Sequence, residues 1–235
     1  MKTSVLSFTP EQAAKATQYC ENYTDGISES MQEVWEWTSS QFEDADKMSS
    51  PLQGATNKFL AEILQPKRIL EIGSYSGFSV VAWHEATTKT QAEIITLEIE
   101  PRMINATNRN IDKYGLRDRV TLIEGPAQDT LKTLSGVFDI VFVDADKEGY
   151  EGYVKEILDR KLLSQNGIII CDNVFSRGLA IDTNAGPHLK QELVPYWIEC
   201  GKAMKKLNEF CRNDPRIDSL VLPLYDGMSI LKWKQ

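Results

Sequence analysis

Arg68-Ile69-Leu70-Glu71-Ile72-Gly73-Ser74-Tyr75-Ser76-Gly77-Phe78-Ser79 is the stretch whose reading decides the fold. An aliphatic run stops at Gly73, a second glycine follows at Gly77, and an apolar stretch of helical character begins near Phe78, so the segment reads as strand, tight turn and helix. The same pattern recurs at Glu93 to Glu98, Arg119 to Gly125, Phe138 to Asp144 and Gly167 to Asp172, each ending in Gly or an acid and separated by amphipathic stretches. Such alternation builds a parallel sheet from βα units. In an open α/β sheet, ligands gather at the carboxyl ends of the strands. Glu71 to Gly77, Glu98, Gly125 to Gln128, Asp144 to Lys147 and Asp172-Asn173 are therefore expected to converge.

Downstream, a helical stretch is expected from about His188 to Phe210, then two runs, Ile217 to Pro223 and Met228 to Trp233, joined through Asp226-Gly227 as an antiparallel hairpin. Asp226 reads as a turn former. Upstream, Pro10 to Glu21, Ile27 to Phe42 and Gln53 to Leu64 read as helices, with Gln41 to Ser50 as a polar linker. A chain of 235 residues with 42% hydrophobic and 26% charged residues excludes collagenous and wholly disordered classes. The net charge of −8 gives no electrostatic footprint for nucleic acid or an anionic membrane, so neither is expected as a partner. Cys20, Cys171, Cys200 and Cys211 lack C-x-x-C spacing and no apolar leader precedes them, so free thiols in the cytosol are expected. With only His84 and His188 present, carboxylates and lysine are left to carry any chemistry.

Three clusters have chemical meaning. The turn Glu71-x-Gly73-x-x-x-Gly77 differs from a dinucleotide fingerprint, because its acid repels a pyrophosphate and suits a cationic amino-acid head group. On its own it is equally a plain strand-to-helix connection. Glu98, 27 residues after Glu71, can accept both ribose hydroxyls of an adenosine, or serve as a solvated turn acid. Val143-Asp144-Ala145-Asp146-Lys147 and Cys171-Asp172-Asn173 bring hard oxygen donors to neighbouring strand ends, the set that suits Mg²⁺ or Mn²⁺. The competing reading is that these acids cap helices. Lys147, three residues beyond Asp144, points back over the same spot as a candidate general base.

From about Pro51 to the C-terminus, the chain resembles the cation-dependent, S-adenosylmethionine-dependent O-methyltransferases that include the caffeoyl-CoA and catechol O-methyltransferases. The F-V-D-A-D-K element at Phe142 to Lys147 with a later D-N carries most of the resemblance. It implies an α/β, Rossmann-like class I methyltransferase fold: a seven-stranded, mostly parallel sheet with a C-terminal antiparallel hairpin and N-terminal helices. Residues 1–50 would cover the acceptor site and 51–235 would form the methyltransferase domain. The implied cofactor contacts are Glu71, Gly73, Ser74, Tyr75, Ser79, Glu98, Ala127 and Asp146. The implied metal ligands are Asp144, Asp172 and Asn173 for Mg²⁺, Mn²⁺ or Ca²⁺, with Lys147 as base. The expected reaction is methylation of one hydroxyl of a vicinal aromatic diol on a phenolic small molecule, by a homodimer.

Some positions depart from the family pattern. Arg177 stands where the plant caffeoyl-CoA enzymes carry a substrate-contacting Asn, and Ser50-Pro51-Leu52-Gln53-Gly54 lacks the acid common in that lead-in. Three rivals are a nicotinamide dehydrogenase, a Mn²⁺-dependent glycosyltransferase using Asp144-x-Asp146, and a non-catalytic S-adenosylmethionine-binding protein. The first lacks its G-x-G-x-x-G, the second leaves the Glu71 turn unexplained, and the third does not account for Lys147 beside a full ligand set.

Overall fold

The computed structural model describes residues 8–184 and 189–235. The elements are α1 (Pro10–Asn22), α2 (Glu29–Gln41), α3 (Pro51–Leu64), β1 (Arg68–Ile72), α4 (Phe78–Ala86), β2 (Glu93–Glu98), α5 (Pro101–Lys113), β3 (Val120–Glu124), α6 (Ala127–Leu131), β4 (Phe138–Val143), α7 (Tyr150–Asp159), β5 (Leu163–Asp172), α8 (Val194–Asn213), β6 (Ile217–Leu222) and β7 (Met228–Trp233). The strands form one seven-stranded sheet in the order β3-β2-β1-β4-β5-β7-β6, with β1 to β5 parallel and β7 antiparallel to both neighbours. The order reverses between β1 and β4, the switch point at which a crevice opens above the strand ends.

Alternation along each strand assigns side chains to the two faces. Leu70, Ile72, Val141 and Val143 pack with Leu131 of α6, Ile157 of α7 and Met204 of α8. Ile69, Ile140, Phe142 and Ile170 pack on the opposite face with α4 and with Met31 and Val34 of α2. Phe78 to Trp83 are all buried because α4 lies between the sheet and an outer layer formed by α2 and α3. α3 begins with N-cap Ser50 and Pro51, the combination that satisfies a helix start.

Several boundaries differ from the sequence reading. β5 starts at Leu163 and not at Gly167, since Leu163 pairs with Phe138 before a register shift restores pairing at Ile168 with Ile140. α8 begins at Val194, after a 3₁₀ turn at Gln191–Leu193, and runs on to Asn213. The helical expectation at His188 lies outside the described residues. The expected linker is a structured strap instead, holding a 3₁₀ turn at Ala45–Lys47. Among the described residues, no helix is long and apolar enough to cross a membrane, and the four cysteines are free.

Candidate active site

β1 delivers the first part of the site. Its alternation turns Glu71 toward α4, where Glu71 Oε1 accepts from the Trp83 indole at 2.9 Å and Oε2 from Thr96, its neighbour on β2, at 2.6 Å. Burial pushes this carboxyl up to about 7, against the hydrogen bonds from Ser79, Thr96 and Trp83. Glu71 thus stands behind the turn that it introduces. Gly73, at φ +92°, crosses directly over the end of β4: a Cβ there would lie 2.0 Å from the Asp144 carbonyl oxygen.

Glu98 closes β2 and gathers the turn. Its Oε2 accepts from the backbone N–H groups of Ser74 and Tyr75 at 3.2 and 2.9 Å, and its Oε1 from those of Ile99 and Glu100 at 2.8 and 3.0 Å. Ser74 Oγ also bonds Thr107 at 2.9 Å. Gly73, Ser74, Tyr75, Ser79 and Asp144 surround a cavity of about 10 Å³ that the strap residues Met48 and Ser49 cover. The strap is tied down by Asp44, which accepts from the Tyr75 hydroxyl at 2.9 Å and from Arg102 at 2.9 Å. Burial works against the Asp44 charge, but bonds from Lys47 and Arg102 hold its carboxyl well below the usual range. Ala127 is the first residue of α6, so its backbone N–H is among the donors with no acceptor inside the helix.

The second part sits at the ends of β4 and β5. Lys147, 9% exposed, donates to Tyr150 Oη at 2.7 Å, to Asn173 Oδ1 at 2.9 Å and to Asp144 Oδ1 at 3.3 Å. Asp172 lies beside them, 2% exposed. Its Oδ2 accepts from Gln53 Nε2 at 2.6 Å and its Oδ1 from the Asn173 backbone at 2.7 Å. Burial, and then the Asp144 charge, push its carboxyl up to about 7. Asp146 follows the helix-capping alternative: its carboxylate accepts from Gly149 N–H at 3.0 Å and from the Tyr153 hydroxyl at 2.6 Å.

The structure therefore brings Asp144, Lys147, Asp172 and Asn173 together, sets Gly73, Ser74, Tyr75 and Ser79 next to Asp144, and joins Glu98 to the turn. It holds Glu71 one layer back and engages Asp146 with α7. Among the described residues, no three His, Cys, Asp or Glu side chains cluster as a metal site. The group at β4 and β5 has two carboxylates and one amide oxygen, two of which already point at a single cationic nitrogen. Two carboxylates and an amide oxygen at adjacent strand ends are hard donors of the kind that fits a divalent ion of the Mg²⁺ class.

Sequence reasoning missed Asp44, Gln53 and Asp226. Asp226 is more than a turn former, because its carboxylate oxygens each accept the Arg177 N–H at 2.8 Å and its carbonyl accepts Phe175 N–H at 2.9 Å, which anchors the loop after β5. Arg177 in turn stacks on Trp197 and pairs with Asp46 of the strap at 3.0 Å.

Residues 21–234 match the O-methyltransferase family profile. The chain is 54% identical to the methyltransferase PaMTH1 of Podospora anserina, whose crystal structure holds S-adenosylhomocysteine; the match covers 99% of this chain and 100% of that one, with a TM-score of 0.97. It is 35% identical to the O-methyltransferase ankF of Aspergillus thermomutatus, over 100% of this chain and 99% of that protein. A catechol O-methyltransferase of Mycobacterium tuberculosis is 38% identical over 130 residues, 55% of this chain and 58% of that protein. With a doubly wound sheet, a glycine turn gathered by Glu98 and near full-length likeness to these proteins, the chain belongs to the O-methyltransferase family of S-adenosylmethionine-dependent enzymes.

Proposed function

We propose that this protein transfers a methyl group from S-adenosylmethionine to one hydroxyl of a vicinal aromatic diol, with a divalent cation required. The observation that carries the reading is the meeting of Asp144, Asn173 and Lys147 within 3.3 Å at the mouth of the crevice, with Asp172 alongside. Gly73, Ser74, Tyr75 and Ser79 would receive the methionine end, backed by Glu71, while Glu98 takes the ribose, the Ala127 backbone the adenine, and Asp146 a further contact. Asp144, Asp172 and Asn173 would hold Mg²⁺, Mn²⁺ or Ca²⁺. Bound there, the cation would lower the pKa of the diol hydroxyl that is to be methylated.

Lys147, steadied by Tyr150, takes the hydroxyl proton on Nζ from its neutral amine form and becomes the ammonium. The phenolate oxygen then forms a bond to the methyl carbon as the bond from that carbon to sulfur breaks, and S-adenosylhomocysteine leaves. Catalysis consists mainly of alignment and charge placement. The described part of the N-terminal segment, residues 8–50, covers the acceptor side in this reading, with Met48 and Ser49 lining the same cavity as Asp144. A homodimer is part of this reading. Its support is α1, which buries none of its residues within the chain and leaves Tyr19 and Tyr23 63% and 77% exposed. Light scattering after size exclusion tests that part.

The test of the reaction is a panel of catechol-bearing acceptors, free phenols and CoA esters, incubated with S-adenosylmethionine and Mg²⁺ and read by mass. Methylation of diols and not of the matching monophenols is the expected result. A panel in which no diol gains a methyl group overturns the reading.

A further inference from the structure

Gln53 is the least expected polar group beside the site. It is 4% exposed, lies 119 residues from Asp172 in sequence, and donates Nε2 to Asp172 Oδ2 at 2.6 Å. Its neighbours along the chain contribute to that reach. Ser50 Oγ accepts the Gln53 N–H at 3.2 Å and Pro51 starts the helix, which fixes the first turn of α3. Gly54 lets the helix settle onto α4, since a Cβ there would lie 2.7 Å from the Phe78 ring and 2.9 Å from the Met31 methyl. Asp172 faces α3 because β5 turns Ile170 and Asp172 to that side, with Met228 of β7 paired beside it.

The Asp172 carboxylate is consequently gripped at both oxygens, Oδ2 by Gln53 and Oδ1 by the Asn173 backbone. We propose that Gln53 is a positioning residue that holds Asp172 in the orientation needed to ligate the divalent cation. The inference rests on the metal reading above. Glutamine suits this role, because a neutral amide supplies one donor to an otherwise poorly solvated carboxylate and leaves the local charge untouched. A lysine in its place would compete with the cation, and a glutamate would repel Asp172. Groups that orient a ligating carboxylate in this way typically contribute about 10- to 100-fold to metal affinity.

The experiment titrates Mn²⁺ into the full chain, following free Mn²⁺ by electron paramagnetic resonance, and measures S-adenosylhomocysteine affinity by calorimetry on the same samples. Gln53→Met keeps the length of the side chain and removes the donor. Gln53→Asn keeps the amide but is one methylene too short to reach. Asn57→Leu is the control. Asn57 lies one helical turn further along α3, fully buried, and its amide atoms have no hydrogen-bond partner among the described residues.

Both Gln53 variants should bind Mn²⁺ about 10- to 100-fold more weakly with S-adenosylhomocysteine affinity unchanged, while Asn57→Leu keeps wild-type Mn²⁺ affinity. Retained cofactor affinity certifies the fold, and if Gln53→Met fails to fold, Gln53→Asn decides. Wild-type Mn²⁺ affinity in the folded Gln53 variants, or an equal loss in Asn57→Leu, overturns the positioning role alone. A wild type that binds no Mn²⁺ overturns the metal reading and this inference with it.

Discussion

The two halves of the crevice are built on opposite principles. Above β1 and β2, the turn is held by main-chain hydrogen bonds, with Glu98 accepting two N–H groups on each carboxylate oxygen. Above β4 and β5, the Lys147 ammonium pairs with Asp144, while the neighbouring Asp172 carboxylate is met directly only by the neutral N–H donors of Gln53 and Asn173. The first half is thus set by main-chain geometry, whereas the second holds a buried carboxylate without a directly paired cation. On the proposed reaction, geometry would serve to recognise a constant donor molecule and charge to activate the reacting oxygen.

The largest expected effect breaks the two halves apart: stripping divalent metal with a chelator should abolish methylation while S-adenosylhomocysteine binding survives, and Mg²⁺ or Mn²⁺ should restore turnover. Full activity in chelator would remove Asp144, Asp172 and Asn173 from the metal assignment. Next, Lys147→Met should lower the turnover number by ~10² to 10⁴ with cofactor affinity preserved. Turnover across a catechol series of graded acidity checks the role, since the loss should shrink as the acceptor hydroxyl becomes more acidic. Equal losses along the series, with chemistry rate-limiting, would leave Lys147 as a mere ion-pair partner of Asp144.

Glu98→Ala attacks the half built on β1 and β2. It removes the acceptor for four N–H groups and the proposed ribose contact, so S-adenosylhomocysteine affinity should fall by about 2 to 4 kcal/mol in calorimetry, with Mn²⁺ binding unaffected. Glu71 offers a pH test of the same half. Its folded pKa, about 7, lies above the ordinary 4.5, so the folded state holds a proton that the unfolded chain has released. Stability should therefore decline as pH rises from 4.5 to 7, by up to ~3 kcal/mol from this group. Denaturant unfolding of the ligand-free protein at pH 5 and pH 8 checks the sign, and Glu71→Gln should remove its share of the decline and leave that of Asp172, whose carboxyl is also raised to about 7. The smallest effect belongs to the strap: Asp44→Ala should cost less than ~1 kcal/mol in thermal unfolding, because its partners Arg102 and Lys47 stand well out in solvent.

What the sequence made legible, and what it hid, follows the reach of the interactions. The turn at Gly73 to Gly77, Glu98 and the Asp144 to Lys147 element could be placed because each lies at the end of an aliphatic run, and a parallel sheet sends all such ends to one edge. The hairpin of β6 and β7 was equally visible from its Asp-Gly pair. Gln53 stood out only as a departure from a motif, since nothing local marks a glutamine that bonds an aspartate 119 residues away. Asp44 was hidden inside a polar stretch that reads as linker, although its carboxylate and carbonyl pin Tyr75 and Arg102. Asp226 carried a correct local reading as a turn residue that concealed its long-range one. The early start of β5 was missed because Ser164 to Gly167 is polar and pairs across a register shift.

Gly73 couples the two halves mechanically. With the Asp144 carbonyl filling the space where its side chain would be, and the Asp144 N–H bonded to the Ile72 carbonyl at 2.9 Å, the glycine turn and the end of β4 are locked together as one body. Perturbations entered from either side therefore share a single element. In a double-mutant cycle their free energies should fail to sum, with an interaction term of about 0.5 to 3 kcal/mol between a substitution in the turn and one at Asp144. Measured on unfolding of the ligand-free protein, that term reports the contact itself.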